Sequence, residues 1–222
     1  AASDVYKRQV QMTRQPGSAF KPFVYLTAFA NKVTPFDILS NETKDFGGGW
    51  TPKNYGGTSG GSVTVMEALV KSMNIPTVHL ADQVGMGKVI QTAKNVGIST
   101  LVTEGEYSDT NLATALGGLT YGVSVWDMAK AYSVFANGGK LVEPTVIMKV
   151  VDRNGKVIED HSGARESTQA VDEASAWTLT SVLEEVISRG TGGNAYIGRP
   201  SAGKTGTTDD EHDAWFVGYT PD

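Results

Sequence analysis

A serine and a lysine three residues apart, Ser18 and Lys21, form the pattern in this sequence that most directly suggests chemistry. If a helix begins near Ser18, the two side chains lie on one face of its first turn. A neutral lysine in that position could take the proton of the serine hydroxyl and so activate it as a nucleophile. The helix N-terminus would add free backbone N–H groups and a partial positive charge, which stabilise developing negative charge. The pair therefore predicts a nucleophilic serine.

A second motif, Ser72-Met73-Asn74, is the only S-x-N of the chain. Ser72 could relay a proton between Lys21 and a leaving amine. Asn74 could hold a carbonyl or amide group of a peptide substrate. Taken alone, the motif is more typical of a hydrogen-bonding turn at a helix end.

A third motif, Lys204-Thr205-Gly206, is the only K-T-G of the chain, and Thr207 follows it. Lys204 and Thr205 could hold a carboxylate of the substrate. Gly206 would let the substrate approach a strand without a β-carbon in the way. A second cation beside Lys21 would lower the pKa of Lys21 and help to keep that amine neutral.

Each of these motifs also arises by chance, and a second S-x-x-K indeed lies at Ser201–Lys204. The three motifs in this order, at a helix start, a helix end and a strand, favour one shared site. Within that site, the backbone N–H groups of Ser18 and Thr207 could donate to a developing oxyanion.

The composition excludes several classes of protein. The 222 residues contain no cysteine, so disulfides and thiol chemistry are excluded. A net charge of −5 without a basic stripe argues against a nucleic-acid partner. The three histidines lack metal-ligand spacing, so we predict no metal and no cofactor. No apolar run approaches the roughly 18 residues of a membrane span. Because the chain also begins without methionine, we expect a piece of a longer protein.

The length fits one domain or two, and the residue pattern predicts a mixture of helices and strands. Helices are predicted from Ser18 onward, over 64–71, from Pro76 to Gly85, and over 87–96, 125–136 and 175–188. Pro76 should push Ile75 out of helical geometry and so separate the second helix from the third. Hairpins are predicted around 153–155 and, with an acidic turn at Asp209–Glu211, within 202–219. The Gly- and Pro-rich segment 31–64 should be a long ordered loop.

One further match, the G-x-S-x-G at Gly57–Gly61, is typical of the nucleophile elbow of α/β hydrolases. That elbow requires a strand directly before it and a helix directly after it. Here a loop rich in Pro, Asn and Gly precedes Ser59, so we interpret Ser59 as a loop residue. We interpret His79 as a hydrogen-bonded helix residue rather than a metal ligand.

The chain resembles the transpeptidase domain of class A (bifunctional) penicillin-binding proteins, and the resemblance extends well beyond the three motifs. The matching segments are Arg14–Pro22, Tyr55 with its glycines, Lys71–Pro76, Ala115–Gly118, Phe135–Gly139, Gly190–Gly192, Ala202–Thr208 and Asp213–Pro221. The resemblance covers about residues 11–222, and residues 1–10 are expected to be an unmatched leader or a sequence artefact. It implies an α/β (α+β) fold of the penicillin-binding protein and serine β-lactamase type. In that fold helices pack an antiparallel sheet beside an all-helical region, and both ends of the domain would be missing here.

The resemblance also implies the roles of the residues. Ser18 would be the acylated nucleophile and Lys21 its base. Ser72 and Asn74 would form the second motif, and Lys204 to Thr207 would line the cleft. The substrate would be a peptidoglycan stem peptide that ends in D-Ala-D-Ala, and β-lactams would acylate the same serine. The protein would act at the extracytoplasmic face of the bacterial cell membrane, which it would contact only through an N-terminal anchor outside this sequence.

Two other functions remain open at this point. A DD-carboxypeptidase or a β-lactamase would use the same serine but needs a base to activate water, and the sequence obliges no carboxylate to take that role. A sensor module would bind a β-lactam or a peptide without turnover. The intact set of motifs favours chemistry over binding alone.

Overall fold

The computed structural model describes residues 7–163, 165–208 and 212–221. Within these ranges, the strands pair as five two-stranded antiparallel sheets, and helices pack around them. The strands are β1 (Thr13–Arg14), β2 (Ile38–Ser40), β3 (Ser62–Thr64), β4 (Val123–Ser124), β5 (Lys140–Val142), β6 (Lys149–Val151), β7 (Val157–Asp160), β8 (Ser167–Gln169), β9 (Ala202–Thr207) and β10 (Ala214–Tyr219). The pairs are β1 with β4, β2 with β3, β5 with β8, β6 with β7, and β9 with β10. The predicted α+β fold class is confirmed.

The helices surround one buried segment. The α-helices are α1 (Lys21–Ala30), α2 (Val65–Val70), α3 (Asn74–Val84), α4 (Met86–Asn95), α5 (Val125–Ala136) and α6 (Glu173–Arg189). Helix α1 is buried from Lys21 to Phe29, which is the burial expected of a helix that is apolar on nearly every side. Helices α3, α4 and α6 pack against it, and α6 also packs against β9. Helix α1 therefore lies at the centre of the core, and the turn that leads into it, Gly17–Phe20, contacts β9 and β10.

Local signals in the sequence explain where several of these helices begin. Thr64 caps α2 by accepting the N–H of Glu67 through its side chain, as the capping-box pattern predicts. Ser124 caps α5 by accepting the N–H of Asp127. The hairpin predicted around 153–155 is confirmed as β6 and β7. The acidic turn predicted at Asp209–Glu211 lies outside the described residues.

One predicted boundary is wrong, because α3 begins at Asn74 and includes both Ile75 and Pro76. Pro76 stands in the first turn, where its missing N–H is not needed for an intrahelical bond. The steric bias of the residue before a proline is outweighed here, because Asn54 Oδ1 accepts the backbone N–H groups of Asn74 at 2.7 Å and Ile75 at 3.0 Å. A residue of the long loop thus holds Ile75 in the helix.

The described residues offer neither a helix that could span a membrane nor a cluster of metal-ligating side chains. None of the helices described is long and apolar enough to cross a membrane. The described part of the chain also holds no group of three or more His, Asp or Glu side chains that could bind a metal ion.

Candidate active site

Ser18 lies in a 3₁₀ turn, Gly17–Phe20, that leads directly into α1. Side chains three residues apart eclipse each other in a 3₁₀ turn, so Ser18 and Lys21 lie on the same side of the chain. The predicted helix start near Ser18 is therefore confirmed, in the form of a tighter turn. On the core side, Tyr132 Oη donates to the carbonyl of Ala19 at 2.8 Å and fixes the turn against α5.

The turn packs against strand β9 through two glycines. A β-carbon on Gly17, whose φ is +51°, would lie 2.5 Å from the carbonyl oxygen of Thr207. A β-carbon on Gly206 would collide with the carbonyl oxygen of Pro16 and would lie 2.9 Å from Cβ of Ala19. The missing side chain of Gly206 thus makes room for the turn that carries the serine, while close approach of the substrate to this glycine stays a prediction.

Lys21 is fully buried beneath the cleft and donates its hydrogen bonds to the second motif. Its Nζ lies 2.6 Å from the carbonyl oxygen of Ser72, 3.4 Å from Ser72 Oγ and 2.6 Å from Asn74 Oδ1. Burial, and then the nearby charge of Lys204, hold the pKa of Lys21 well below its ordinary value. Among the described residues, no hydrogen bond joins Lys21 Nζ to Ser18 Oγ. In enzymes without substrate, such contacts are often long.

Lys204 also contacts Ser72, through the same hydroxyl. Its Nζ donates to Ser72 Oγ at 2.8 Å and lies 3.2 Å from the carbonyl oxygen of Thr205. Lys204 is fully buried, and burial lowers the pKa of its amine to about 7. The Ser72 hydroxyl therefore stands between two buried amines, and burial lowers the pKa of both.

Ser72 has a backbone conformation that residues other than glycine rarely adopt. Its φ is +54°, in the left-handed region that favours glycine. Its N–H bonds the carbonyl of Leu69, and the N–H of Met73 bonds the carbonyl of Ala68, so the residue closes α2 before α3 starts. Strain held at such a position is typical of functional sites.

Asn74 is held by the loop that precedes β3. Its Nδ2 donates to the carbonyl of Lys53 at 2.7 Å, and its backbone N–H donates to Asn54 Oδ1. The side-chain oxygen of Asn74 is left for Lys21. Sequence reasoning missed Asn54, since nothing in an isolated loop asparagine indicates which helix it caps.

These residues meet at a cleft of about 900 Å³. Its lining consists of Ser18, Lys53, Asn54, Tyr55, Gly56, Lys71, Ser72, Asn74, Thr191, Thr205, Thr207 and Thr208. Of the predicted site residues, Ser18, Ser72, Asn74, Thr205 and Thr207 line this cleft, while Lys21 and Lys204 lie under it and Gly206 lies behind the serine turn. Thr205 Oγ1 also pairs with Thr191 Oγ1 at 2.9 Å, which joins β9 to the segment after α6.

The other candidate positions lie outside this cleft. Ser59 lies in a loop, with β3 rather than a helix after it, so the interpretation of its G-x-S-x-G as a loop is confirmed. His79 is on α3 and its Nε2 lies 3.0 Å from the carbonyl of Glu42, as expected of a hydrogen-bonded helix residue. A second cavity of about 580 Å³, between α5 and β10, contains none of the motif residues.

The sequence matches the family of the penicillin binding protein transpeptidase domain over residues 2–222. That match includes most of residues 1–10, which the resemblance in the motifs did not cover. The boundary of the domain within this sequence stays a prediction.

Curated relatives match nearly the whole chain. Penicillin-binding protein 1A of Neisseria meningitidis is 36% identical over 231 residues, which cover 99% of this chain and 28% of the relative. Penicillin-binding protein 1A of Aquifex aeolicus is 38% identical over 222 residues, which cover 97% of this chain and 29% of the relative. The chain thus spans less than a third of the length of these relatives.

Solved structures share its fold. The penicillin-binding protein PonA1 from Mycobacterium tuberculosis superposes with a TM-score of 0.84 at 31% identity, over 95% of this chain and 59% of that one. The same protein in complex with penicillin V gives a TM-score of 0.83 at 30% identity, over 95% of this chain and 58% of that one.

Proposed function

Because this chain belongs to the penicillin-binding protein transpeptidase family, we propose that it is a serine DD-transpeptidase that cross-links peptidoglycan stem peptides. The observation that carries the proposal is the position of Ser72 Oγ between two buried amines. Lys204 Nζ lies 2.8 Å from it and Lys21 Nζ lies 3.4 Å from it, under the cleft that Ser18 lines. This arrangement can pass a proton from the nucleophile to a leaving group without bulk water.

Acylation would begin with neutral Lys21, whose pKa is lowered by its burial. Lys21 takes the proton of Ser18 as Oγ attacks the carbonyl carbon of the penultimate D-Ala. The bond between that carbon and the terminal D-Ala nitrogen then breaks, and the proton reaches this nitrogen through Ser72. The terminal D-Ala leaves, and the peptide stays joined to Ser18 as an ester. Backbone N–H groups of Ser18 and Thr207 are the donors proposed for the oxyanion.

Transfer would follow when an amine of a second stem peptide attacks the ester. The amine loses a proton, Ser18 Oγ regains one, and a peptide bond joins the two stems. A hydrolase of this type needs a base that activates water, commonly a carboxylate. Among the described residues, the lining of the cleft contains no Asp or Glu, which supports transfer over hydrolysis.

The peptide would lie along β9, which pairs with β10 on one side and presents Thr205 and Thr207 to the cleft. An extended peptide added to a strand in this way gains main-chain hydrogen bonds. Thr205 is the proposed contact for the substrate carboxylate, with Lys204 behind it. We further propose that residues 11–222 form part of the transpeptidase domain of a class A protein at the extracytoplasmic face of the bacterial membrane.

The test is the intact mass of the protein after incubation with benzylpenicillin, with Ser18→Ala alongside and circular dichroism on both. We expect one penicilloyl adduct, stable for many minutes, and no adduct on Ser18→Ala. Replacement of a catalytic nucleophile lowers rates on the order of 10⁴-fold or more. An adduct on folded Ser18→Ala, or rapid release of hydrolysed penicillin, would contradict the proposal.

A further inference from the structure

We propose that Asn54 is a positioning residue of this reaction, and that its side chain holds Asn74 and Ser72 in register with Lys21. The inference rests on the proposed function, and it assigns a role to the loop between β2 and β3. Asn54 contacts none of the reacting atoms. It acts through the second motif.

The contacts of Asn54 all lead to the start of α3 or to its own loop. Oδ1 of Asn54 accepts the backbone N–H of Asn74 at 2.7 Å and that of Ile75 at 3.0 Å. No residue in α3 itself provides a side-chain cap, because its N-cap residue is Met73. Asn54 therefore supplies from 20 residues away the acceptor that a local Ser, Thr or Asp usually provides.

The other end of the amide fixes Asn54 in the loop. Nδ2 donates to Asn41 Oδ1 and to the carbonyl of Thr58, both at 2.7 Å. Asn41 in turn exchanges backbone hydrogen bonds with Gly60 and Gly61. Asn54 and Asn41 are each only 7% exposed, so these bonds are held away from water. These hydrogen bonds hold Asn54 in place within the loop.

A single residue, Asn74, connects this loop to the proposed base Lys21. Asn74 offers Oδ1 to Lys21 Nζ at 2.6 Å, while its backbone is held by Asn54. The Ser72 carbonyl, two residues earlier, accepts from the same amine at 2.6 Å. A displacement of about 1 Å in a site of this kind can cost about 10²-fold in rate. Loss of the Asn54 cap should therefore reach Lys21 directly.

The carboxamide of Asn54 satisfies all of these partners at once. The site requires one acceptor for two N–H groups and two donors for two oxygens, which is the inventory of a carboxamide. Aspartate would keep the cap of α3 but would place a carboxylate against Asn41 Oδ1 and the Thr58 carbonyl. Alanine would remove both sets of bonds.

The experiment compares Asn54→Ala, Asn54→Asp and a matched control in the full chain, with acylation by a fluorescent penicillin as the readout. The control is Asp172→Ala, which removes the cap of α6, where Asp172 accepts the N–H of Ser175. At about 1.5 Å per residue, Asp172 lies about 25 Å along α6 from the end that leads to Thr191. Melting temperatures of all variants are measured first.

We expect Asn54→Ala to acylate about tenfold more slowly or worse. The control should stay within about twofold of the unsubstituted chain, even if the two variants melt at the same temperature. Asn54→Asp should recover several-fold of the rate at its best pH. Its acidic limb should move to higher pH, since a carboxylate there favours the protonated form of the nearby amines. The two amines concerned are the buried ones, Lys21 on α1 and Lys204 on β9; the other cationic side chains around the cleft are Lys53 on the loop and Lys71 at the end of α2.

A folded Asn54→Ala protein that acylates like the control would overturn the inference. If Asn54→Ala does not fold, Asn54→Asp decides the matter, because it keeps both bonds to α3. An acidic limb that does not move in that variant would then overturn the inference. Failure of the proposed function is distinguishable, because the unsubstituted chain would itself form no adduct with penicillin, and both proposals would fall together.

Discussion

Lys204 Nζ donates to Ser72 Oγ at 2.8 Å, and this bond joins residues that are 132 positions apart in the sequence. Lys21 Nζ lies 3.4 Å from the same oxygen. A hydroxyl has one proton and two lone pairs, so Ser72 can accept from one amine while it donates to the other. The three motifs of the sequence therefore meet in a hydrogen-bonded unit, and the properties of that unit can be tested separately.

Replacement of Lys21 by methionine should abolish the base while it keeps much of the volume of the side chain. We expect acylation by benzylpenicillin to fall on the order of 10²–10⁴-fold, the usual contribution of a positioned base. Lys156→Met, which changes an exposed lysine of the β6–β7 hairpin, serves as the control. Circular dichroism checks the fold of both. Normal acylation at neutral pH by folded Lys21→Met would refute the role of Lys21.

The stability of the fold should rise with pH between about 7 and 9.5. The pKa of Lys204 is about 7 in the folded state and near 10.4 in the unfolded chain, so the unfolded chain binds more protons in this window. The free energy of unfolding should therefore rise by up to about 1.4 kcal/mol per pH unit for this lysine. Lys21, whose pKa is lowered in the same direction, adds to the slope. The contribution of Lys204 to stability is fully present above the pKa of the unfolded chain, near 10.4, and is lost as the pH falls toward 7.

Urea unfolding at several pH values measures this slope, with Lys204→Met as the comparison. The variant should show a flatter dependence, because one of the two buried amines is gone. Measurements stay below pH 9.5, since burial raises the pKa of Tyr25 and Tyr132 and their ionisation in the unfolded chain would lower stability above about pH 10. Equal slopes in the two proteins would contradict the low pKa of Lys204.

Substitutions of Ser72 should separate its backbone strain from its chemistry. Both Ser72→Gly and Ser72→Ala remove the hydroxyl, so both should acylate slowly. Because φ at this position is +54°, glycine relieves strain that alanine keeps, and Ser72→Gly should be more stable by about 1 kcal/mol. Chemical denaturation of the two variants gives the difference. An alanine variant as stable as the glycine variant would show that the position is not strained.

The sequence predicted those features that depend on residues close to one another in the chain. The caps at Thr64 and Ser124 are three residues from the N–H groups that they accept, so the pattern alone locates the starts of α2 and α5. The three motifs could be placed in one site only because they occur together. The burial of Lys21 and Lys204 beneath the cleft depends on the packing of both α1 and β9 against α6, which no local pattern records.

The wrong helix boundary arose where a distant contact outweighs a local preference. Pro76 favoured a helix break at Ile75, but Asn54 holds Ile75 in α3 from across the loop. The packing of Gly206 against the serine turn, which is more than 180 residues away in the sequence, likewise follows from no local pattern. Such contacts become visible only in the folded structure.

The packing of Gly206 against Pro16 predicts the effect of adding one methyl group there. A β-carbon at position 206 would collide with backbone atoms, which cannot move aside as a flexible side chain can. Gly206→Ala should therefore lose about 1–3 kcal/mol of stability, the usual cost of overpacking. It should also slow acylation, because the displaced turn carries Ser18.

Gly87→Ala is the control: Gly87 is exposed on α4, and its β-carbon would meet nothing within 4 Å. That variant should gain up to about 1 kcal/mol. If Gly206→Ala has the melting temperature and the acylation rate of Gly87→Ala, the turn is not held against β9 by this contact, and close approach of the substrate would remain the reason for the glycine.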